Sequence, residues 1–403
     1  VMNYIIRKST ESNEWEEKDP GMDCYIDLSD ILSGTVDYYV ASGQFPGTRV
    51  LGDDVLIGVK IRSAVYNSSK NVVKVQTGIP IPGTLDGIFT LKTKTKDESE
   101  KETIIPITAV RLVNAEENTY ELSLGVDLTS AEAMAKEYVL VYDGQDYNVS
   151  MPSLYSSEVF ESQYTYTGDD LGATWTSSKT TFKVWAPTAE KVQVNLYESG
   201  TEGTDDLIKT LDMIKGDKGV WSVSEAGDLN GTYYTYKATI NGEEQAEACD
   251  PYAKTTGVNG NRAMVINMNA TNPAGWASDR GPNAGMSYTD SIIYELHVRD
   301  FSIDESSGIS EKNKGKFLGL TETGTKNKSG QTTGLDYLTD LGITHIHLLP
   351  SYDYATVDET KLDTPQYNWG YDPKNYNVPE GSYSTDPYNG AVRVKEMKQM
   401  VKT

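Results

Sequence analysis

Apolar positions between residues 50 and 151 come in short runs of the β type, divided by Gly-, Pro- and Asn-rich connections. Residues 55–61, 71–76, 120–124 and 138–142 alternate or run apolar over five to seven positions, and each is predicted to be a strand. Their spacing is that of a sandwich. Only residues 130–136 read as a brief helix, and the charged run from Lys92 to Glu102 reads as a solvated hairpin or loop. Ahead of this block, residues 4–8, 15–19 and 22–28 also alternate like strands.

A second β pattern begins near residue 156. Residues 180–187 end a strand at Pro187, where a missing ladder donor does least harm. Residues 191–197 alternate with period two and put Val192, Val194 and Leu196 on one face, with further strands at 219–223 and 231–237. Asn241-Gly242 is a strong two-residue hairpin signal. Trp185 and Trp221 both sit inside apolar strands, so both are expected to fill a core.

After a Pro/Gly/Asn-rich linker at 272–288 the period changes. Residues 292–298 form a nearly continuous apolar run, as in a strand with both faces covered. Leu335, Leu338 and Leu341 then recur at helical spacing, with Gly342 placed to cap the helix, and a strand follows at 344–349. In the last predicted helix Val394, Met397 and Val401 share one face, while Lys395, Glu396, Lys398 and Gln399 are expected to meet water. Strand–helix–strand–helix is how a parallel α/β barrel opens.

The expected fold class is therefore multidomain: two all-β immunoglobulin-like sandwiches followed by the first two βα units of a TIM (β/α)8 barrel. The chain divides into 1–45, 46–155, 156–280 and 285–403. It carries 36 Lys and Arg against 59 Asp and Glu, a formal charge of −23. That balance disfavours nucleic acid and anionic membrane surfaces as partners. No stretch approaches 18 uninterrupted apolar residues, so no membrane span is expected. Cys24 and Cys249 make no disulfide framework and are expected to be small buried hydrophobes.

The chemistry concentrates in residues 367–373, Tyr-Asn-Trp-Gly-Tyr-Asp-Pro, just after the strand at 344–349. Gly370 and Pro373 fix a tight backbone path, which holds Trp369 and Tyr371 as rigid faces beside an amide and a carboxylate. Residues of this kind leave two readings open. Either the loop packs against its neighbours, or it offers stacking planes and hydrogen-bonding edges to a sugar. Glu295 and Asp300 also lie near a strand end, where structural roles with the backbone or Arg299 are expected. His345 and His347 share a strand face, but no third ligand stands at suitable spacing and no metal is assigned.

Residues 367–373 resemble the signature of the type I pullulanases, the starch-debranching members of glycoside hydrolase family 13. Residues 374–385, 317–325 and 294–300 continue the resemblance in the family's order. Residues 156–280 are similar to carbohydrate-binding module family 48, 46–155 to the immunoglobulin-like spacer of pullulanases, and 1–45 to the closing strands of a family 41 starch-binding module. The resemblance implies hydrolysis of α-1,6 branch linkages in pullulan, starch or glycogen by a retaining mechanism, without a cofactor. It implies that Tyr371 stacks under the sugar at the cleavage subsite, with Trp369, Asn368, Asp372 and Tyr367 as walls of the same pocket. The family's catalytic carboxylates sit on barrel strands four, five and seven, so none is expected within these 403 residues, and the segment alone is expected to be inactive. An extracellular or bacterial cell-surface location is the expectation that goes with starch-binding modules. Isoamylase or branching enzyme is the neighbouring enzymatic alternative, and a non-catalytic starch-binding protein the other.

Overall fold

The computed structural model describes residues 59–94, 102–134, 136–152, 154–203, 205–240, 242–283 and 285–403, together with four short strands near the start. The chain forms two compact units, residues 1–165 and 166–403. Of the short strands, Met2–Tyr4 pairs with Cys24–Ile26 and Arg7–Ser9 with Trp15–Lys18, both antiparallel. The rest of residues 1–45, most of the strand expected at 55–61, and the tip of the charged loop at 95–101 lie outside the described residues.

The first unit contains two four-stranded sheets. One joins Ile61–Asn67, Val72–Thr77, Thr119–Leu124 and Ile107–Asn114; the other joins Gln145–Val149, Tyr138–Tyr142, Phe89–Thr93 and Ile104–Ile105. Side chains from both enter one core, with Tyr66, Val73, Val75 and Leu122 meeting Phe89, Leu91 and Leu140. The strand Ile61–Asn67 begins where the 55–61 run was expected to end. The helix Glu158–Tyr164 belongs to this core through Phe160 and Tyr164, and Ser157 caps it by accepting the Phe160 N–H at 3.2 Å.

The second unit begins with another pair of antiparallel sheets. Lys179–Trp185 lies between Gly172–Thr176 and Val220–Ala226, and Lys191–Tyr197 between Leu207–Asp212 and Tyr233–Ile240. The period-two prediction at 191–197 holds: Val192, Val194 and Leu196 are all buried. Trp221 is buried as expected, its indole N–H donating to the Ala186 carbonyl at 2.9 Å. Trp185 is not. Phe182 and Val184 point inward, so the alternation turns Trp185 outward, 39% exposed, with its N–H on the Lys218 carbonyl at 3.0 Å.

The remainder of this unit is built against that sandwich. Ile293–Leu296 and His345–Leu348 pair in parallel, and the helix Gly334–Asp340 precedes the second of them. Gly342, at φ +77°, ends that helix in the left-handed conformation, as the sequence predicts. Leu296, Val298, Phe317, Leu320, Leu338, Tyr354 and Tyr383 form the local core. Among the described residues no third strand joins the parallel pair, so Ile293 and Ile346 are exposed where covered faces were expected. Tyr352–Tyr354 pairs antiparallel with Pro373–Pro379, and Val378 of the latter enters the sandwich core. Lys398 of the final helix Gly390–Lys402 holds the start of the expected linker, donating to Met268 O, Thr271 Oγ1 and Asn272 Oδ1 at 2.7–2.8 Å.

That helix departs from its predicted face. Val394 is buried and Lys395 exposed, but Glu396 is buried too, because its carboxylate accepts the Thr385 N–H and hydroxyl. Arg393 is fully buried, and Val401 is exposed. The hydrogen bonds that Glu396 accepts and the ion pairs that Arg393 makes therefore override simple amphipathicity here.

Candidate functional site

The loop at 367–372 is anchored at the carboxyl end of the parallel strand pair. Leu296 ends the first strand, and His297, next in the chain, is buried. Its Nε2 lies 2.8 Å from the Asn368 carbonyl and 3.0 Å from the Tyr383 hydroxyl. A carbonyl only accepts, so Nε2 carries the hydrogen, and Nδ1 is left to accept the Asp300 N–H at 3.3 Å. Asp300 also lies 3.5 Å from Arg299, and Glu295 lies 3.3 Å from His347. Asp300 thus has the Arg299 neighbour expected of it, whereas Glu295 meets His347 rather than the backbone or Arg299.

The loop's own side chains fix its shape. The Asn368 amide donates to Asp372 Oδ1 at 2.8 Å and to Thr356 Oγ1 at 2.5 Å, while its oxygen accepts the Gly370 N–H at 2.7 Å. Asp372 Oδ2 accepts both the N–H and the hydroxyl of Thr356, at 2.9 and 2.6 Å. Partial burial pushes the Asp372 carboxyl up, but the hydrogen bonds from Thr356 and Asn368 outweigh it and hold it below the usual carboxylate range. Gly370 sits at φ +87°, and a Cβ there would lie 2.8 Å from Pro350 Cβ. Only glycine fits that position.

Locked in this way, the loop turns its rings outward. Tyr367, Trp369 and Tyr371 are 58%, 58% and 67% exposed, so none serves as core filling. Together with Thr356, Asn368 and Asp372 they line one wide, shallow hollow. All five residues singled out from the sequence therefore meet at one place, and Thr356 and His297 are supporting members that the sequence reading missed. His297 could have been suspected, since it lies inside the 294–300 word directly after a strand.

A second cluster was not legible at all. Asp353, Glu359 and Glu380 are buried with carboxylate oxygens within 4.8 Å of one another. Arg393 lies among them, 3.1 Å from Asp353 and 3.0 Å from Glu359. It also donates to Thr256 Oγ1 and Gly257 O at 3.2 and 3.1 Å, and the Asn259 N–H donates to Glu359 at 2.8 Å. The cluster thus ties the sandwich loop 255–261 to the region that carries the aromatic loop. It is a structural ion network, with the guanidinium supplying the positive charge.

Residues 170–253 match the family model of carbohydrate-binding module 48, the isoamylase N-terminal domain. The pullulanase of Bacillus subtilis (strain 168) is 40% identical over 261 residues, which cover 64% of this chain and 34% of that protein. The chain is related to the pullulanases. Chloroplastic pullulanase 1 of Arabidopsis thaliana is 32% identical over 300 residues, covering 65% of this chain and 30% of its own length. Among solved structures, pullulanase from Anoxybacillus sp. LM18-11 aligns with a TM-score of 0.64 at 34% identity, over 85% of this chain and 46% of that one. Pullulanase from Paenibacillus barengoltzii in complex with maltohexaose and α-cyclodextrin aligns with a TM-score of 0.58 at 50% identity, over 61% and 37%. The chain spans about a third of the length of these two curated pullulanases.

Proposed function

We propose that this chain is the carbohydrate-holding portion of an α-glucan-debranching hydrolase acting on α-1,6 linkages in pullulan, starch or glycogen. The observation that carries the reading is the loop at 367–372, whose three exposed rings are held rigid by Asn368 and Asp372 at the carboxyl end of a parallel strand pair. Barrel enzymes build their sites at that end. On this reading the two parallel strands and their helices are the opening βα units of a (β/α)8 barrel. Tyr371 stacks under the glucosyl ring at the cleavage subsite, and Trp369, Tyr367, Asn368 and Asp372 wall it in.

Retaining hydrolysis requires two carboxyl groups about 5 Å apart across the scissile bond. Asp372 is no candidate for either role, because both its oxygens are engaged in holding the loop. Residues 1–403 are therefore assigned positioning, not bond cleavage, and by themselves should not hydrolyse pullulan.

Calorimetric titration of the chain with maltotriose tests the reading, with Tyr371→Ala expected to abolish or strongly weaken binding. Unchanged maltotriose affinity in that variant would sink the stacking role. Release of maltotriose from pullulan by the purified chain would overturn the division between positioning and cleavage.

A further inference from the structure

A second aromatic pair, Tyr376 exposed and Tyr352 half-buried, stands on the strands next to the loop. Tyr352 and Tyr376 face each other from the strands Tyr352–Tyr354 and Pro373–Pro379, with ring centroids 5.2 Å apart and planes inclined by 51°. Tyr376 is 70% exposed, so its ring contributes little to any core. Partial burial raises the Tyr352 phenol, and so do its neighbours Tyr376, Tyr371 and Asp372. The strand Pro373–Pro379 leaves the loop directly after Asp372 and pairs with Tyr352–Tyr354, so both rings stand on the two strands that continue from the loop.

The strand carrying Tyr376 is pinned to the end of the carbohydrate-binding module and to the loop 255–261 that follows it. Lys374 donates to Asn259 O at 2.7 Å, Asn375 to Gly260 O at 2.9 Å, and Asn377 to Pro251 O at 3.3 Å. The next module residue, Tyr252, is again exposed. A platform held in this way needs no ordering when a ligand arrives. Its chemistry is that of a neutral polyhydroxylated ligand: phenol faces and hydroxyls, with the Lys374 ammonium already bound.

We propose that Tyr352 and Tyr376 extend the loop's aromatic surface into a track for a longer stretch of α-glucan, leading from Tyr371 toward Tyr252 on the module. The proposal rests on the reading of the loop as a sugar site. Titrating the chain with maltotriose and with maltohexaose separates the two. Tyr376→Ala should lower maltohexaose affinity about five- to tenfold and leave maltotriose affinity within about twofold, while Tyr376→Phe, which keeps the ring, retains most of the maltohexaose affinity.

Equal maltohexaose affinity in wild type and Tyr376→Ala, with maltotriose binding still lost in Tyr371→Ala, would overturn the track and leave the loop reading standing. A Tyr376→Ala effect on maltohexaose with no effect of Tyr371→Ala on maltotriose would do the reverse. Absence of binding of either sugar to the wild-type chain would overturn both. A change in self-association of Tyr376→Ala by sedimentation, with maltohexaose affinity unchanged, would assign the surface to a second copy of the chain and reject the track.

Discussion

The guanidinium of Arg393 lies 3.1 Å from the carboxylate of Asp353, and neither side chain reaches solvent. A charge pair removed from water is held there by its partners, and here both terminal nitrogens of the guanidinium are engaged while Nε has no acceptor. Arg393 also donates to Glu359 and to the carbonyls of Gly257, Pro379 and Pro387, at 3.0–3.3 Å. Arg393→Met keeps volume but leaves buried carboxylates without their counter-charge. It is expected to cost the second unit about 3–5 kcal/mol, the usual penalty for breaking a buried pair from one side. Adding Asp353→Asn and Glu359→Gln should recover part of the loss, since the uncompensated charge then disappears. Chemical denaturation of the three proteins measures this, and a loss under about 1 kcal/mol for the single variant would refute the role given to the cluster.

The same cluster predicts a pH dependence. Burial, reinforced by Glu359 and Asp353, pushes the Glu380 carboxyl up to about 8. Asp353 and Glu359 are raised as well, burial outweighing the pull of Arg393. An unfolded glutamate titrates near ~4.3, so across the interval up to about 8 the folded chain binds more protons than the unfolded one. The contribution is fully present below the unfolded value and is lost as pH rises through 8. Carboxylates held low, such as Asp372 and Glu322, act in the opposite sense, but theirs is complete once the unfolded carboxyls have ionised. The melting temperature of the second unit should therefore fall between about pH 6 and pH 8.5, and Glu380→Gln should flatten that slope. An equally steep decline in the variant would place the proton elsewhere.

Local periodicity carried much of the fold. The run 191–197 was readable because Val192, Val194 and Leu196 are all buried. The end of the helix Gly334–Asp340 was readable because Gly342 takes the left-handed cap, although of the expected leucine stripe only Leu338 is buried and Leu341 is exposed. Trp185 was misjudged because residue type suggested a core while its register, odd to Phe182 and Val184, turned it to solvent. The exposed strands Ile293–Leu296 and His345–Leu348 show the opposite difficulty: apolar composition implies covered faces but not what covers them. At the site, Gly370 and Pro373 announced a fixed loop, and the ring exposures agree with a surface rather than a packing role. Asp353, Glu359, Glu380 and Arg393 share no spacing, and three folded segments are needed to bring them together. No pattern along the chain could have placed Arg393 inward beside Glu396.

The aromatic loop depends most on one amide. Asn368 joins Thr356, Gly370 and Asp372 through its side chain and His297 through its backbone carbonyl, so it is the point where ring orientation is set. Asn368→Ala removes the side-chain bonds, leaving the Gly370 N–H without its acceptor and Asp372 without one of its donors. The site is half open to water, so the stability cost should be modest, about 1–2 kcal/mol. The functional cost should be larger. Loss of the donor should let the Asp372 carboxyl rise toward its ordinary value, and Trp369 and Tyr371 must then be ordered by the ligand at its own expense. Expected outcomes are near-wild-type circular dichroism, a small drop in melting temperature, and maltotriose affinity reduced about tenfold. Asn368→Asp should do no better, because it sets a second carboxylate against Asp372 at 2.8 Å spacing. If maltotriose affinity survives both substitutions, the rings do not owe their orientation to this residue, and the pre-formed loop is not what holds the sugar.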